Sequence, residues 1–303
     1  MTTIPGLHHV TAISGAPQPN VDFFSGILGQ KLVKKTVNFD DPGTYHLYYG
    51  DAAGNPGTIL TFFPFADAGP GRAGPGMASA YAYAIPTADF DRITDDLAVR
   101  GLTTAGSGLR FGERMVTLRD PDGAPVELIE TTDAQDSHGF HSVTLWERDP
   151  DRTIRLLTDV FGYEHKGTER DGATERHRLI APGDARGRII DVIRVEGAQT
   201  GRPGAGTIHH IAFRAKDDAE QAAWMETLAR AGHRTTDVKD RQYFNAIYFR
   251  EPGGVLFEIA TDPPGFAIDE PAQSLGQALK LPPQYEPMRA RIERVLPPLR
   301  VRA

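Results

Sequence analysis

"GLHHVTAIS", residues 6–14, reads as a short strand that opens on two adjacent histidines. "GTIHHIAFR", residues 206–214, has the same form far along the chain. Successive side chains of a strand point to opposite faces, so His8 and His9 diverge, and so do His209 and His210. Paired imidazoles are an unusual way to start a strand bound for an apolar core. Their recurrence directs attention to internal repeats.

Outward from these two stretches, the chain reads as four units of order β-α-β-β-β. Unit one has a strand at Leu7–Ser14, then the helix "NVDFFSGILGQ". There Asn20 is the expected N-cap, and Phe23, Phe24, Ile27 and Leu28 form an apolar face. Gly29 is the C-terminal stop. The strands "KLVKKTVNF", "YHLYYGD" and "GTILTFFP" complete the unit. Unit two opens with "SAYAYAIP", has a helix over Phe90–Arg100 and closes with "MVTLRDPDGAPVELIE". Unit three opens with "GFHSVTLWE", has a helix over Arg152–Phe161 and closes with "GRIIDVIRV". Unit four opens with "TIHHIAFRA", has a helix over Ala219–Ala231 and closes with "QYFNAIYFREPGGVLFEIAT". "DPDG" and "EPGG" are hairpin turn signals.

One such unit cannot bury both faces of its sheet, whereas two can close a half-open barrel. The expected fold is therefore α+β, with four βαβββ modules in two half-open barrels. Residues 1–135 hold modules one and two, and 136–262 hold modules three and four. Residues 263–303 are a Pro-rich tail with a short helix at Glu286–Val295, expected to pack on the body. "GPGRAGPG" (69–76) lacks the Lys-Ser/Thr of a phosphate loop and reads as a mobile loop.

Composition narrows the functional classes. The 303 residues are 40% hydrophobic, enough for a large core, and the net charge of −7 argues against a nucleic-acid footprint. The absence of cysteine excludes disulfides, thiolate metal sites and thiol nucleophiles. The first residues lack a basic-then-apolar leader, and no apolar run reaches the ~18 residues of a membrane span. A cytoplasmic protein with no membrane or nucleic-acid partner is expected.

Superposing the units on their first strands places His9, His141 and His210 at one position. Superposing the last strands places Thr61, Glu127, Asp191 and Glu258 at another. A carboxylate in an apolar run such as "GGVLFEIAT" is costly to bury alone, so a cation or metal partner is expected. Two histidines and one carboxylate form the facial triad of non-haem Fe(II) sites, which leaves open coordination positions. Two unit pairings remain open at this stage. If units three and four share a barrel, the triad is His141, His210 and Glu258, with Asp191 also facing the metal. If units one and four share it, the triad is His9, His210 and Glu258, with Thr61 as a weak fourth group. Glu127, His141 and Asp191 then fall in the other barrel, as internal hydrogen-bonded pairs rather than a vestigial site. His46, His165, His177 and His233 read as surface or structural residues.

Taken together, "LHHVT", "VDFF", "YHLYYGD", "PGTILTFFP", "RFGERMV", "GFHS", "IIDV", "IHHIAF", "YFNAIYFREPGGVLFE" and "SLGQALKLPPQYE" resemble the vicinal oxygen chelate superfamily. Glyoxalases, extradiol dioxygenases and bleomycin resistance proteins belong to it. The nearer resemblance is to ring-cleaving hydroquinone 1,2-dioxygenases, which open para-diols. It implies pairing of module one with four and two with three. It implies Fe(II) held by His9, His210 and Glu258, with His8, Thr11, His209, Arg241 and Tyr248 around the site. It also implies a small aromatic substrate, bound through one hydroxyl because a para-diol cannot chelate one ion, and O2 as co-substrate. His209 and Tyr248 are the candidates for moving protons, and Arg241 for stabilising developing negative charge. Three other readings differ in chemistry: a catechol extradiol dioxygenase, a glyoxalase-like isomerase, and a drug-binding protein of the bleomycin-resistance type. A homo-oligomer is compatible with all of them.

Overall fold

The computed structural model describes residues 3–102, 104–134 and 136–301. Module one supplies β1 (Leu7–Ser14), helix α1 (residues 17–27), β2 (Lys31–Val37), β3 (Tyr45–Gly50) and β4 (Ile59–Pro64). Module two supplies β5 (Met77–Pro86), α2 (Phe90–Val99), β6 (Gly106–Arg110), β7 (Glu113–Arg119) and β8 (Pro125–Thr131). Module three supplies β9 (Phe140–Trp146), α3 (residues 150–160), β10 (Glu164–Asp171), β11 (Thr174–Ile180) and β12 (Ile189–Val195). Module four supplies β13 (Thr207–Ala215), α4 (Asp218–Arg230), β14 (Lys239–Asp240), β15 (Phe244–Arg250) and β16 (Leu256–Pro264).

The strands form two eight-stranded sheets, ordered β14-β15-β16-β13-β1-β4-β3-β2 and β10-β11-β12-β9-β5-β8-β7-β6. Module one thus joins module four, and module two joins module three, as expected. The joins are antiparallel: β1 with β13 and β5 with β9. Within each module the first strand runs parallel to the last, as in β1 with β4 and β13 with β16. An apolar core runs between sheets and helices, with Phe24, Phe62, Phe161, Phe213, Trp224 and Phe257 all buried.

Helix α1 departs from the expected start. It begins at Pro17, whose fixed φ suits a first helical position. Asn20 is not a cap; it is buried, and its Oδ1 accepts a 2.8 Å bond from the Tyr49 hydroxyl. Helices α2, α3 and α4 lie within two residues of their expected limits. Asp149 and Asp217 cap α3 and α4 by accepting from the Asp151 and Glu220 amides.

The register also corrects the superposition of the histidines. Ala212 of β13 stands opposite Glu258, and Thr11 opposite Thr61. In module three Thr144 stands opposite Asp191, and in module two Ala82 opposite Glu127. Counting back two residues from each gives His210, His9, Ser142 and Ala80. Ser142, not His141, therefore holds the position of His9 and His210. His141 corresponds to His209.

The tail carries α5 (Arg289–Val295) and is tied to module one. Buried Lys34 binds both Asp269 and Glu270, and Phe266 packs 5.1 Å from the Tyr48 ring. The Tyr285 hydroxyl donates to the Phe39 carbonyl at 2.8 Å. Among the described residues no helix is long and apolar enough to cross a membrane.

One buried pair gives a pH prediction. Glu147 is buried against the "EPGG" turn, close enough that a Cβ at Gly253 would meet its Oε2 at 1.8 Å. Burial first, then the neighbouring Glu251, push the Glu147 carboxyl up to about 9. A raised folded-state pKa means that its stabilisation is complete below the ordinary carboxyl range and is lost as pH rises toward 9. Glu147→Gln should keep the neutral shape without that loss. Urea midpoints measured at acid pH and at pH about 9 should differ less in the variant than in the parent. An unchanged difference would mean that Glu147 does not titrate in this range.

Candidate metal centre

The centre forms where β1 crosses β13. Pairing of β1 with β13 brings Thr11 opposite His210 and His9 opposite Ala212, so both histidines face one side of the sheet join. A one-residue bulge at His8 interrupts that pairing. Adjacent β16 contributes Glu258 beside Ala212. His9 Nε2 and His210 Nε2 are 3.4 Å apart. Glu258 Oε2 lies 3.3 Å from the first and 2.9 Å from the second. Among the described residues, His9, His210 and Glu258 are the group of three placed to share an ion.

These separations fit an ion shared by the three donor atoms. Both Glu258 oxygens are buried without a hydrogen-bond partner of good geometry, although two imidazole nitrogens lie within contact distance. An ion bound about 2.1 Å from each donor atom would make edges of about 3.0 Å on an octahedral face or 3.4 Å on a tetrahedral one. The observed edges span that interval. Burial alone would raise the Glu258 pKa, but His9 and His210 outweigh it and hold the carboxyl well below its usual range. Burial lowers the His210 pKa, partly offset by Glu258, and leaves a neutral imidazole. An ionised carboxylate and neutral imidazoles are the states that bind a divalent cation.

Each ligand-type histidine is backed by its chain neighbour. His8 Nδ1 lies 3.0 Å from His9 Nδ1, and His209 Nδ1 lies 2.7 Å from His210 Nδ1. Burial, followed by the adjacent histidine, pushes His8 well down, and His209 to about 4 for the same two reasons. The neutral His8 and His209 rings can accept at Nδ1, so that His9 and His210 can donate through Nδ1 and turn their Nε2 lone pairs to the centre.

A cavity of about 380 Å³ opens onto the three donor atoms. Thr11, His209, Arg241 and Tyr248 line it together with His9, His210 and Glu258. Of the eight residues singled out in the sequence, His8 alone is not part of its wall. Arg241 Nε donates to the Tyr248 hydroxyl at 3.2 Å, and its guanidinium reaches Asp40 at 3.4 Å. Burial and the Glu258 charge hold the Tyr248 pKa above its ordinary value, so the phenol stays protonated. Phe39, Phe63, Phe244 and Leu256 supply apolar walls. The volume is at the lower end of the roughly 300–1,000 Å³ of small-molecule sites, which suits one ring with modest substituents.

His46 was read from the sequence as surface or structural, and the structure corrects this. It lines the cavity, with its ring between Tyr48 at 4.1 Å and Phe63 at 4.3 Å. The available signal was period two in "YHLYYG", which puts His46 and Tyr48 on one face.

The other barrel has no comparable centre among its described residues. Arg110 grips Glu127 with two bonds of 2.6 and 2.7 Å. Arg178 binds Asp191 at 2.9 and 3.1 Å, and Arg176 adds a third contact at 3.2 Å. His141 Nε2 meets Glu113 at 3.1 Å. Glu127, His141 and Asp191 are thus in internal pairs, as expected. A larger hollow of about 800 Å³ lies beside them, in which Glu113, Asp136 and Asp133 are paired with Arg178, Arg186 and Arg188.

The two curled sheets, their modular order and this centre define the class. The chain belongs to the Glyoxalase/Bleomycin resistance protein/Dioxygenase superfamily, which it matches over residues 6–128 and 139–259. Within it, the chain is 45% identical to "Putative ring-cleaving dioxygenase MhqO" of Bacillus subtilis (strain 168), over 98% of this chain and 97% of that protein. It is 35% identical to the chlorohydroquinone/hydroquinone 1,2-dioxygenase of Sphingobium indicum, over 97% of this chain and 96% of that one. A crystal structure described as a "putative dioxygenase" from Bacillus subtilis superposes with a TM-score of 0.93 at 44% identity, covering 100% of this chain and 99% of that one. Kinship over nearly the whole length with proteins named as dioxygenases makes this chain an enzyme.

Proposed function

We propose that the enzyme is an Fe(II)-dependent dioxygenase that opens the ring of a hydroquinone-type para-diol, with His9, His210 and Glu258 as the iron ligands. The observation that carries this reading is the convergence of two Nε2 atoms and one carboxylate oxygen at 2.9–3.4 Å on a small cavity with aromatic walls. Three protein donors leave positions free, as oxygen chemistry requires. Iron bound there supplies the redox link between an electron-rich ring and dioxygen.

The protein groups do the rest. Phe39, Phe63 and Phe244 hold a ring and exclude water. Arg241 carries a positive charge to the wall, where it favours an ionised substrate oxygen. Tyr248, a protonated phenol held by Arg241, is placed to give a hydrogen bond to that oxygen. His209, neutral and at the cavity edge, accepts at Nδ1 from His210 and so carries its hydrogen on Nε2, from which it is placed to give a hydrogen bond or a proton to an oxygen in the cavity.

The test is anaerobic reconstitution with Fe(II), followed by oxygen uptake against hydroquinones and catechols. One O2 should disappear per ring opened, and hydroquinones should react faster than catechols. Preferred cleavage of catechols would replace the para-diol reading by the extradiol one. Tyr248→Phe and Arg241→Ala should lower kcat by about 10²-fold, the lower range for a lost proton-transfer group, with iron content unchanged. Turnover at the parent rate would make both residues structural.

A further inference from the structure

His46 belongs to a hydrogen-bonded chain that begins and ends on the cavity. The Tyr48 hydroxyl meets His46 Nδ1 at 2.8 Å, and His46 Nε2 meets the Thr61 hydroxyl at 2.8 Å. Thr61 Oγ1 meets Thr11 Oγ1 at 3.0 Å. Tyr48, Thr61 and Thr11 are buried, and the two aromatic neighbours of His46 fix its ring plane. Tyr48, His46 and Thr11 line the cavity, with Thr61 behind them. Thr61 holds in module one the place that Glu258 holds in module four. Where one half of the barrel offers a carboxylate, the other offers the middle of this chain.

A neutral imidazole gives one hydrogen bond and takes one, and each hydroxyl has one hydrogen to give. The four groups must therefore all point the same way. When Tyr48 donates to Nδ1, Nε2–H donates to Thr61, and Thr61 donates to Thr11. The Thr11 hydrogen is then left for the cavity, while the Tyr48 oxygen can only accept there. In the reverse sense Tyr48 donates to the cavity and Thr11 accepts. Burial first, with His9 next, pushes His46 well below its ordinary pKa, which keeps the ring neutral and the chain intact.

We propose that His46 is a positioning residue whose Nε2–H tautomer aims the Thr11 hydroxyl at a substrate oxyanion and leaves Tyr48 to accept from a second, protonated hydroxyl of the same ring. The substrate class that fits both ends is a singly ionised diol. A quinone, which has no hydrogen to give, and a phenol whose second oxygen is methylated each mismatch the Tyr48 end. This deepens the para-diol reading and rests on it.

Two measurements test the proposal. The first is nitrogen-15 NMR of histidine-labelled, metal-free protein, with His46 assigned by its loss in His46→Gln. The protonated nitrogen should be Nε2, and Tyr48→Phe and Thr61→Val should each shift the tautomer balance. Protonation at Nδ1 in the parent, or no response to either variant, overturns the chain. The second measurement uses iron-loaded protein of equal iron content. Thr61→Val should lower kcat about tenfold, the scale of one lost hydrogen bond, and Thr61→Ser should recover most of it. In anaerobic binding, Tyr48→Phe should erase the preference for hydroquinone over 4-methoxyphenol. Parent-level kcat in Thr61→Val, or an undiminished preference in Tyr48→Phe, overturns the assigned roles. Failure of the para-diol reading looks different: the parent protein itself would cleave no hydroquinone.

Discussion

His9→Ala should leave the protein without iron and without ring-opening activity. The site has three donor atoms from two modules, at separations of 2.9, 3.3 and 3.4 Å. Removal of one leaves a single imidazole and a carboxylate, too few to hold a divalent ion against buffer. Wild-type protein reconstituted with Fe(II) should carry about one iron per chain by elemental analysis, and the variant close to none. Two companion variants show whether the loss is specific. His141→Ala should retain iron, because its Nε2 is engaged by Glu113 in the other barrel. His8→Ala should also bind iron, with affinity weakened by about 10–100-fold through loss of the partner at His9 Nδ1. An iron-loaded His9→Ala beside an empty His141→Ala would move the centre to the wrong barrel and sink the assignment.

Asp191→Ala should be the most damaging single change outside the centre. The carboxylate is fully buried and neutralises Arg178, with Arg176 against its second oxygen. Truncation leaves buried guanidinium charge without its main partner. Removing one member of a buried ion pair costs about 3–5 kcal/mol. Denaturant unfolding should show a loss of that size, while any correctly folded fraction keeps its iron. Asp191→Asn keeps the shape and some hydrogen bonds, and should fall between. A loss under about 1 kcal/mol would mean that water reaches these arginines and that the pair is effectively a surface one.

Much of this architecture was readable because repetition is hard to hide. The two His-His strands and the "DPDG" and "EPGG" turns marked the modules, and β1 and β13 formed where those motifs lay. Seven of the eight residues singled out meet at one cavity, because each had a strand register to argue from or a motif around it. What escaped has physical causes. His141 was set beside His9 by residue type. The ladder of β9 with β12 moves the correspondence by one residue, and a one-residue slip on a strand reverses the face. Asn20 has the chemistry of a cap, but a proline upstream started the helix first and the amide served Tyr49 instead. His46 was passed over because its role depends on the curl of the sheet. β3 lies away from the β1–β13 join, and only curvature brings its His46–Tyr48 face to the donor atoms.

The junction of β1 with β13 also sets the order of events during synthesis. A ribosome delivers His9 some 249 residues before Glu258. Modules two and three emerge next to each other and can close their sheet while module four is still being made. Module one must wait meanwhile, with the edge of β1 that β13 will cover unpaired. Such an exposed edge is a template for the wrong partner, including the same strand of a neighbouring nascent chain. Closing the long loop between the two strands costs little extra free energy, because that cost rises only logarithmically with length, but it delays the contact. His9, His210 and Glu258 therefore come together as one of the last acts of folding, and a metal ion held by all three cannot template the early steps.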